Sequence, residues 1–232
     1  MFLFEPRYRP LPPPLVGARL MLRPPLLADF DSWAELRRAS RAFLQPWEPL
    51  WGAEALSRRT YRARVSRMAH EWNSDQGYAF HLIASGAGGV AAPRGAVLGG
   101  INLNNVRRLS AQSASLGYWM GEAHAGQGLM REALALLLPH AFAGFENDPA
   151  EVFHGGESRQ GGLGLHRIDA ACIPENRRSR ALLARMGFLE IGLAPAYLKI
   201  GGQWRDHVCH QLLAEDFVAG ADIPGRPVFE VG

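Results

Sequence analysis

The sequence predicts a single domain of the mixed α/β (α+β) class, built on a mostly antiparallel sheet flanked by helices, and three observations carry that prediction. Apolar patterns along the chain run strand, helices, three strands, helix, strand, helix, two strands, an order that does not alternate regularly enough for a doubly wound parallel sheet. The three central strands are separated by turns of hairpin length, which makes them an antiparallel meander. The 232 residues, 47% hydrophobic and 20% charged, suffice for one large domain with its own core.

Taken in order, residues 1–17 carry Pro6, Pro10, Pro12, Pro13 and Pro14. Proline fixes φ and removes ladder donors, so this arm is expected to hold no regular element. It also lacks an apolar stretch of signal-peptide length, so export is not expected. The domain proper is expected over 18–216. Arg19–Arg23 alternates and stops at Pro24-Pro25, giving a short strand. Asp29 or Asp31 would cap a helix running to about Phe43, with Phe30, Trp33, Ala34 and Leu36 at helical spacing. A second helix, about Ser57 to Trp72, puts Tyr61, Val65, Met68 and Trp72 on one stripe. Its arginines, Arg58, Arg59, Arg62, Arg64 and Arg67, are most simply a solvated face, with RNA as the alternative partner.

The meander follows as Tyr78–Ala84, Ala96–Asn104 and Ser113–Met120. A turn, Gly126-Gln127-Gly128, then opens into a helix from about Met130 to Phe142. Residues 144–164 are acidic and glycine-rich, which predicts an exposed, mobile insertion. Regular structure resumes as a strand over Leu165–Ile173, a helix over Asn176–Met186, and strands over Leu189–Ile200 and Trp204–Leu213. Residues 217–232 form a short tail punctuated by proline and glycine.

Composition excludes several classes. A formal charge of +3 is too mild for a protein that coats nucleic acid, and it would not repel an anionic ligand. Cys172 and Cys209 form neither a C-x-x-C pair nor a disulfide framework, so a reducing cytoplasm is the expected compartment and no structural zinc site is legible. The longest apolar run, Ala133–Leu138, is far short of the roughly 20 residues a bilayer span requires, so no membrane association is expected.

The chemistry concentrates in two places. The turn Ala125-Gly126-Gln127-Gly128-Leu129-Met130 lies between a strand and a helix, so its amides and the helix's first N–H groups converge on a point that suits a phosphate. Glycine at 126 and 128 allows a positive φ or a close backbone approach. Taken alone, Gly-x-Gly after a strand is more often a plain turn; without G-x-G-x-x-G or a Walker lysine, dinucleotide and P-loop sites are excluded. The second place is the strand from Leu165 to Ile173, running into Pro174-Glu175-Asn176-Arg177-Arg178-Ser179-Arg180-Ala181-Leu182-Leu183-Ala184-Arg185-Met186-Gly187-Phe188.

Together these stretches resemble the Gcn5-related N-acetyltransferases, the GNAT superfamily, and within it the ribosomal-protein N-terminal acetyltransferases of the RimJ/RimL group. The blocks Arg41–Pro49, Leu116-Gly117-Tyr118 and Gly202–Val208 extend the likeness from about Arg19 to Asp216. The resemblance implies the acyl-CoA N-acyltransferase fold with a splayed central strand pair, and acetyl-CoA as donor. Pantetheine would run along the main chain of Tyr118, Trp119 and Met120 as though it were another strand. The family's pyrophosphate motif falls on Ala125, Gly126, Gln127, Gly128, Leu129 and Met130; Ala125 replaces a long polar residue and Met130 a small one. Asn176 would bond the pantetheine arm, and Ser179 would lie near the sulfur and give a proton to the leaving thiolate.

The implied acceptor is a protein α-amine, namely the N-terminal Ala or Ser of a ribosomal protein, attacked in a ternary complex; no sequence-specific nucleic acid is implied, and the chain would be a monomer or homodimer. Small-molecule amines, or a non-catalytic CoA-binding module of ribosome assembly, are the alternatives. Trp47, Ser115 and Tyr197 would face the acceptor. The general base is open, because the glutamate that relatives place on the strand at Ser113–Met120 is missing and the RimL-type position reads Leu198. Candidates are Glu122, Tyr197, Asp206 and His124, three of them with a plainer role: Glu122 and His124 as surface loop residues, Asp206 as a turn former. His207, Cys209 and His210 do not make a metal site, since a strand sends His207 and Cys209 to one side and His210 to the other.

Overall fold

A computed structural model describes residues 12–144 and 162–217. Its centre is an 8-stranded sheet ordered β1-β2-β3-β4-β5-β6-β8-β7. The strands are β1 (Leu15–Val16), β2 (Leu20–Arg23), β3 (Tyr78–Ala84), β4 (Val97–Arg107), β5 (Ser113–Met120), β6 (Arg167–Cys172), β7 (Leu189–Ile200) and β8 (Gln203–Leu213). The helices are α1 (Phe30–Ala39), α2 (Arg41–Leu44), α3 (Arg58–Asn73), α4 (Leu129–Phe142) and α5 (Arg177–Arg185). Every described strand pair is antiparallel except β5 with β6, whose strands run parallel because α4 crosses over between them.

Three expectations are corrected. The proline arm does end in a strand: Leu15 and Val16 pair with Leu22 and Met21 across a tight turn closed by the Gly17 amide on the Leu20 carbonyl at 2.9 Å. The prolines stop at Pro14, and an edge strand needs only one set of ladder partners. The helix expected to reach Phe43 is interrupted at Ser40, whose φ of −94° and ψ of 11° leave the helical range. The Ser40 hydroxyl there accepts the Glu122 amide at 2.9 Å, tying the break to the connection after β5. Within 144–164, residues 162–164 are buried rather than exposed, because their amides and the next one return to the end of α4: Leu163 N–H to His140 O and Gly164 N–H to Ala143 O, both at 2.9 Å. The rest of that expected insertion, and of the expected tail, lies outside the described residues apart from Gly144 and Phe217.

Strand register decides which residues share a face. Ser115 opposes Asp169 and Ala171 opposes Cys209, so with period-two alternation Ser115, Gly117 and Trp119 of β5 share a face with His207 and Cys209 of β8. On that face α1 and α3 bury Trp33, Ala34, Tyr61 and Val65 against Ile83 and Val97, with Trp119 at the margin. The opposite face carries Leu116, Tyr118, Ala170, Cys172 and Leu212, and packs under α4 and α5 against Leu134, Leu137, Leu138 and Leu183. Helix α3 starts where Ser57 accepts the Thr60 amide at 3.2 Å.

Beneath α1 sits a buried polar knot. Asp29 receives both guanidinium nitrogens of Arg23 (2.5 and 2.8 Å), the Leu26 amide (2.9 Å) and His81 Nδ1 (3.1 Å). Burial alone would raise the Asp29 pKa, but these donors outweigh it and hold the carboxyl well below the usual carboxylate range. Burial lowers the His81 pKa against the pull of Asp29, and the Tyr61 ring stacks on it at 6.4 Å.

Candidate active site

The parallel pairing of β5 and β6 begins at Ser113–Arg167 and ends at Leu116–Ala170. Gly117–Met120 continue to pair with β4, and Ala171–Cys172 with β8, so each strand keeps one ladder and turns an unpaired edge toward the other. Into this split opens a cavity of about 1050 Å³ that touches residues of both sheet faces, among them Tyr118 and Cys172 on one and Trp119 and His207 on the other.

On the α4–α5 face the cavity is bounded by main chain. Gly126 and Gly128 have φ of 76° and 75°, in the left-handed region that favours glycine. A Cβ on Gly126 would meet nothing within 4 Å, so it is this conformation, and not crowding, that calls for glycine there. Gly128 is the N-cap of α4 and supplies no side-chain acceptor, which leaves the first amides of the helix for a ligand. Met130 turns its side chain into the core, 8% exposed, so its departure from the family's small residue is directed away from the turn. Ala125 and Leu129 line the cavity; Gln127 does not, its amide folding back onto the Ala123 carbonyl at 2.8 Å. The turn is braced by Arg19, which donates to the Gln127 carbonyl (2.9 Å) and to Glu132 of α4 (2.7 Å).

Across the split, Asn176 caps α5, its Oδ1 accepting the Ser179 amide at 3.1 Å. This leaves both N–H donors of the Asn176 amide for a ligand. The Ser179 hydroxyl lies 2.7 Å from the Tyr118 hydroxyl, closing a bridge between α5 and β5. Burial pushes the Tyr118 phenol up to about 12, despite the hydrogen bond to Ser179, so it keeps its proton at neutral pH.

The other face of the cavity is made of side chains. Trp47 and Glu48 come from the loop after α2, Trp119 from β5, Leu198 and Ile200 from β7, and His207 from β8. Glu48 accepts a fork from Arg37 (2.8 and 2.6 Å) and the indole N–H of Trp51 (2.8 Å). The Arg37 guanidinium stacks on the Trp51 and Trp119 rings, 4.3 and 4.7 Å from their centroids. The Glu48 carbonyl accepts the Gly201 amide at 3.0 Å, fastening this loop to the β7–β8 turn.

Of the residues singled out from sequence, Tyr118, Trp119, Met120, Ala125, Gly126, Gly128, Leu129, Met130, Asn176, Ser179 and Trp47 line the cavity. Ser115, Glu122, Tyr197 and Asp206 do not. Glu122 is exposed. Asp206 binds the Ala196 amide at 2.8 Å on the face opposite His207, and Tyr197, half exposed, sets its ring edge against His207 at 5.7 Å. His124 lines the cavity beside the glycine turn, buried, with Nδ1 unbonded. Sequence reasoning weighed His207 only as a metal ligand and gave Arg19 and Arg37 no part in the site, though all three reach it from distant elements; the signal for Arg37 was an arginine on the otherwise apolar side of a helix, next to Trp33 and Ala34 in burial.

A strand pair that parts above a glycine turn at a helix N-terminus defines a class of acyl-transfer enzyme. Residues 19–189 match the acetyltransferase (GNAT) domain family, and the chain belongs to it. It is 35% identical over 209 residues, 89% of this chain and 93% of the relative, to the ribosomal protein uS5-alanine N-acetyltransferase of Escherichia coli (strain K12). Among solved structures it resembles Mycobacterium smegmatis RimJ in complex with CoA-disulfide, with a TM-score of 0.70, 30% identity, and 88% and 87% of the two chains covered. The Vibrio fischeri ribosomal-protein-S5-alanine acetyltransferase shares the fold, with a TM-score of 0.72 at 23% identity over 89% of this chain and 100% of that one. The chain is therefore an N-acetyltransferase that uses acetyl-CoA. Among the described residues no helix is long and apolar enough to cross a membrane.

Proposed function

We propose that this enzyme acetylates the N-terminal α-amine of a ribosomal protein, with alanine or serine as the first residue. The observation that carries the reading is the cavity passing between the sheet faces, donor groups on one side and an aromatic acceptor mouth on the other, in a chain 35% identical to a uS5-alanine N-acetyltransferase. When bound, acetyl-CoA supplies an activated thioester carbonyl.

The protein's own groups then have separable tasks. The amides from Gly126 to Met130 hold the diphosphate, and the open edge of Gly117–Met120 aligns pantetheine. Ser179, backed by Tyr118, places a hydroxyl for the sulfur that leaves. Trp47 and Trp119 wall the acceptor and exclude water. An α-amine, with a pKa near 7.7–8.0, is already partly neutral at pH 7, whereas a lysine amine near 10.4 would require a stronger base.

Charge pairing favours a peptide over a polyamine. Glu48 and Glu175 both line the cavity, but Arg37 neutralises the first and Arg205 reaches the second at 3.1 Å. No surplus negative charge is left there for a polycation. The test is incubation with acetyl-CoA and an alanine-starting peptide, beside an N-blocked lysine peptide and free polyamines. Acetylation of the α-amine alone is the expected result; turnover confined to the lysine peptide or the polyamines would overturn the assignment.

A further inference from the structure

We propose that His207 is the general base of the reaction, taking a proton from the acceptor ammonium through Nε2; this rests on the acetyltransferase activity and names a residue for its acceptor side. Its Nδ1 lies 2.9 Å from the Arg205 carbonyl. A carbonyl only accepts, so Nδ1 carries the hydrogen and the neutral ring must hold its lone pair on Nε2. No protein group among the described residues bonds Nε2, and the ring lines the cavity while only 3% of the residue is exposed. An imidazole with Nδ1 tied to the main chain thus turns Nε2 to a sheltered space on the acceptor face of the sheet.

The opposite face completes the arrangement. Ser179 and Tyr118 approach the split from the α4–α5 side, and His207 from the side of Trp119, so a proton can be withdrawn and another delivered on opposite sides of one carbonyl. His207 takes one proton from the ammonium and becomes imidazolium, with Nδ1–H still on Arg205. The freed amine forms the N–C bond; as the C–S bond breaks, its electron pair goes to sulfur. The second ammonium proton ends on that sulfur by way of the Ser179 hydroxyl, giving amide and thiol, and His207 returns its proton to solvent.

The local fold is arranged around this ring. Opposite His207, β7 shifts register between Ala194 and Leu198, and Ala196 there has a φ of 46°. A non-glycine residue in that region persists only when its surroundings hold it, and Asp206 does so through the Ala196 amide. The shift sets the Tyr197 ring edge against His207. Of the other ionisable groups nearby, Glu48 is bound to Arg37, Arg205 to Glu175, and Cys172 lies on the opposite face with its pKa raised by burial. Lys199 alternates away from the cavity-lining Leu198 and Ile200, and Cys209, on the face of His207, does not line the cavity and has its pKa raised by burial. His207 is therefore the group on this face free to accept a proton.

His207→Asn keeps a donor for the Arg205 carbonyl and removes Nε2. With the alanine-starting peptide it should lower kcat at pH 7 on the order of 100-fold, with acetyl-CoA affinity by calorimetry and thermal midpoint near wild type. Its pH–rate profile should reduce to the ionisation of the peptide amine alone, and added imidazole should restore part of the rate of His207→Ala. Full kcat with an unchanged pH profile overturns the proposal, as does a loss that tracks acetyl-CoA binding and resists imidazole. Wild-type turnover on the peptide is the separate control for the substrate reading.

Discussion

The two halves of the cavity are built from different materials. The half we propose for the donor is chiefly main chain: the amides between Gly126 and Met130 and the open edge of β5, within a strand–turn–helix that is continuous in sequence, faced by Asn176 and Ser179 at the start of α5. The half we propose for the acceptor is side chain: Trp47, Glu48, Trp119, Leu198 and His207, drawn from the loop after α2, β5, β7 and β8, with Arg37 of α1 holding Glu48 and stacking on Trp119 behind them. A backbone site tolerates replaced side chains, which is how Ala125 and Met130 can depart from the family pattern. A side-chain site has no such slack, since each member is oriented by another.

If the difference holds, the severest lesion on the donor side should come from backbone conformation. Gly128→Val puts a β-branched residue at a φ of 75°. Strain and misdirected amides should together cost about 3–4 kcal/mol, read as a several-hundredfold rise in the acetyl-CoA Michaelis constant with peptide affinity unchanged. Parallel weakening of both substrates would show that the two halves are not independent.

Next in size is the hydroxyl bridge between α5 and β5. Ser179→Ala should lower kcat roughly tenfold to a hundredfold, at the low end of general acid–base effects because a thiolate leaves readily. Tyr118→Phe should lower it less, and the double variant should lose little beyond Ser179→Ala alone, because the phenol acts through the serine. With the Tyr118 phenol at about 12, its ionisation should leave no mark on the rate below pH 10. Multiplicative losses in the cycle would separate the two hydroxyls.

On the acceptor side, Arg37→Lys retains charge but gives up the fork to Glu48 and the stacking between Trp51 and Trp119. The peptide Michaelis constant should rise about tenfold, near 1.4 kcal/mol, while that for acetyl-CoA stays put. An unchanged peptide constant would mean that the Trp47–Glu48 loop holds its place without α1.

The same contrast explains what the sequence could reveal. The meander, the glycine turn and the Asn176-capped helix each follow from local rules, so Tyr78–Ala84, Ser113–Met120 and Leu189–Ile200 were readable to the residue. The end of the proline arm was not, because Leu15 and Val16 pair only once β2 is beside them. The break at Ser40 depends on an amide 82 positions away. On the acceptor side, a base was sought among Glu122, Asp206, Tyr197 and His124 by chemical type alone. What separates His207 from His81, equally buried in the same sheet, is the surroundings: His81 faces Asp29 and Tyr61 under α1, whereas His207 faces open space. No spacing rule carries that information.

The mildest prediction probes the place where the glycine turn leans on a side chain. Arg19, on the turn between β1 and β2, reaches the Gln127 carbonyl and pairs with Glu132, with 30% and 17% of the two side chains exposed. A partly exposed pair of this kind contributes about 0.5–1 kcal/mol. Arg19→Ala should therefore raise the acetyl-CoA Michaelis constant about threefold and leave kcat and the peptide constant alone, because the φ values of Gly126 and Gly128 are set within the turn itself. A loss approaching that of Gly128→Val would show instead that the turn is held from outside, and the donor site would then be as dependent on distant side chains as the acceptor site.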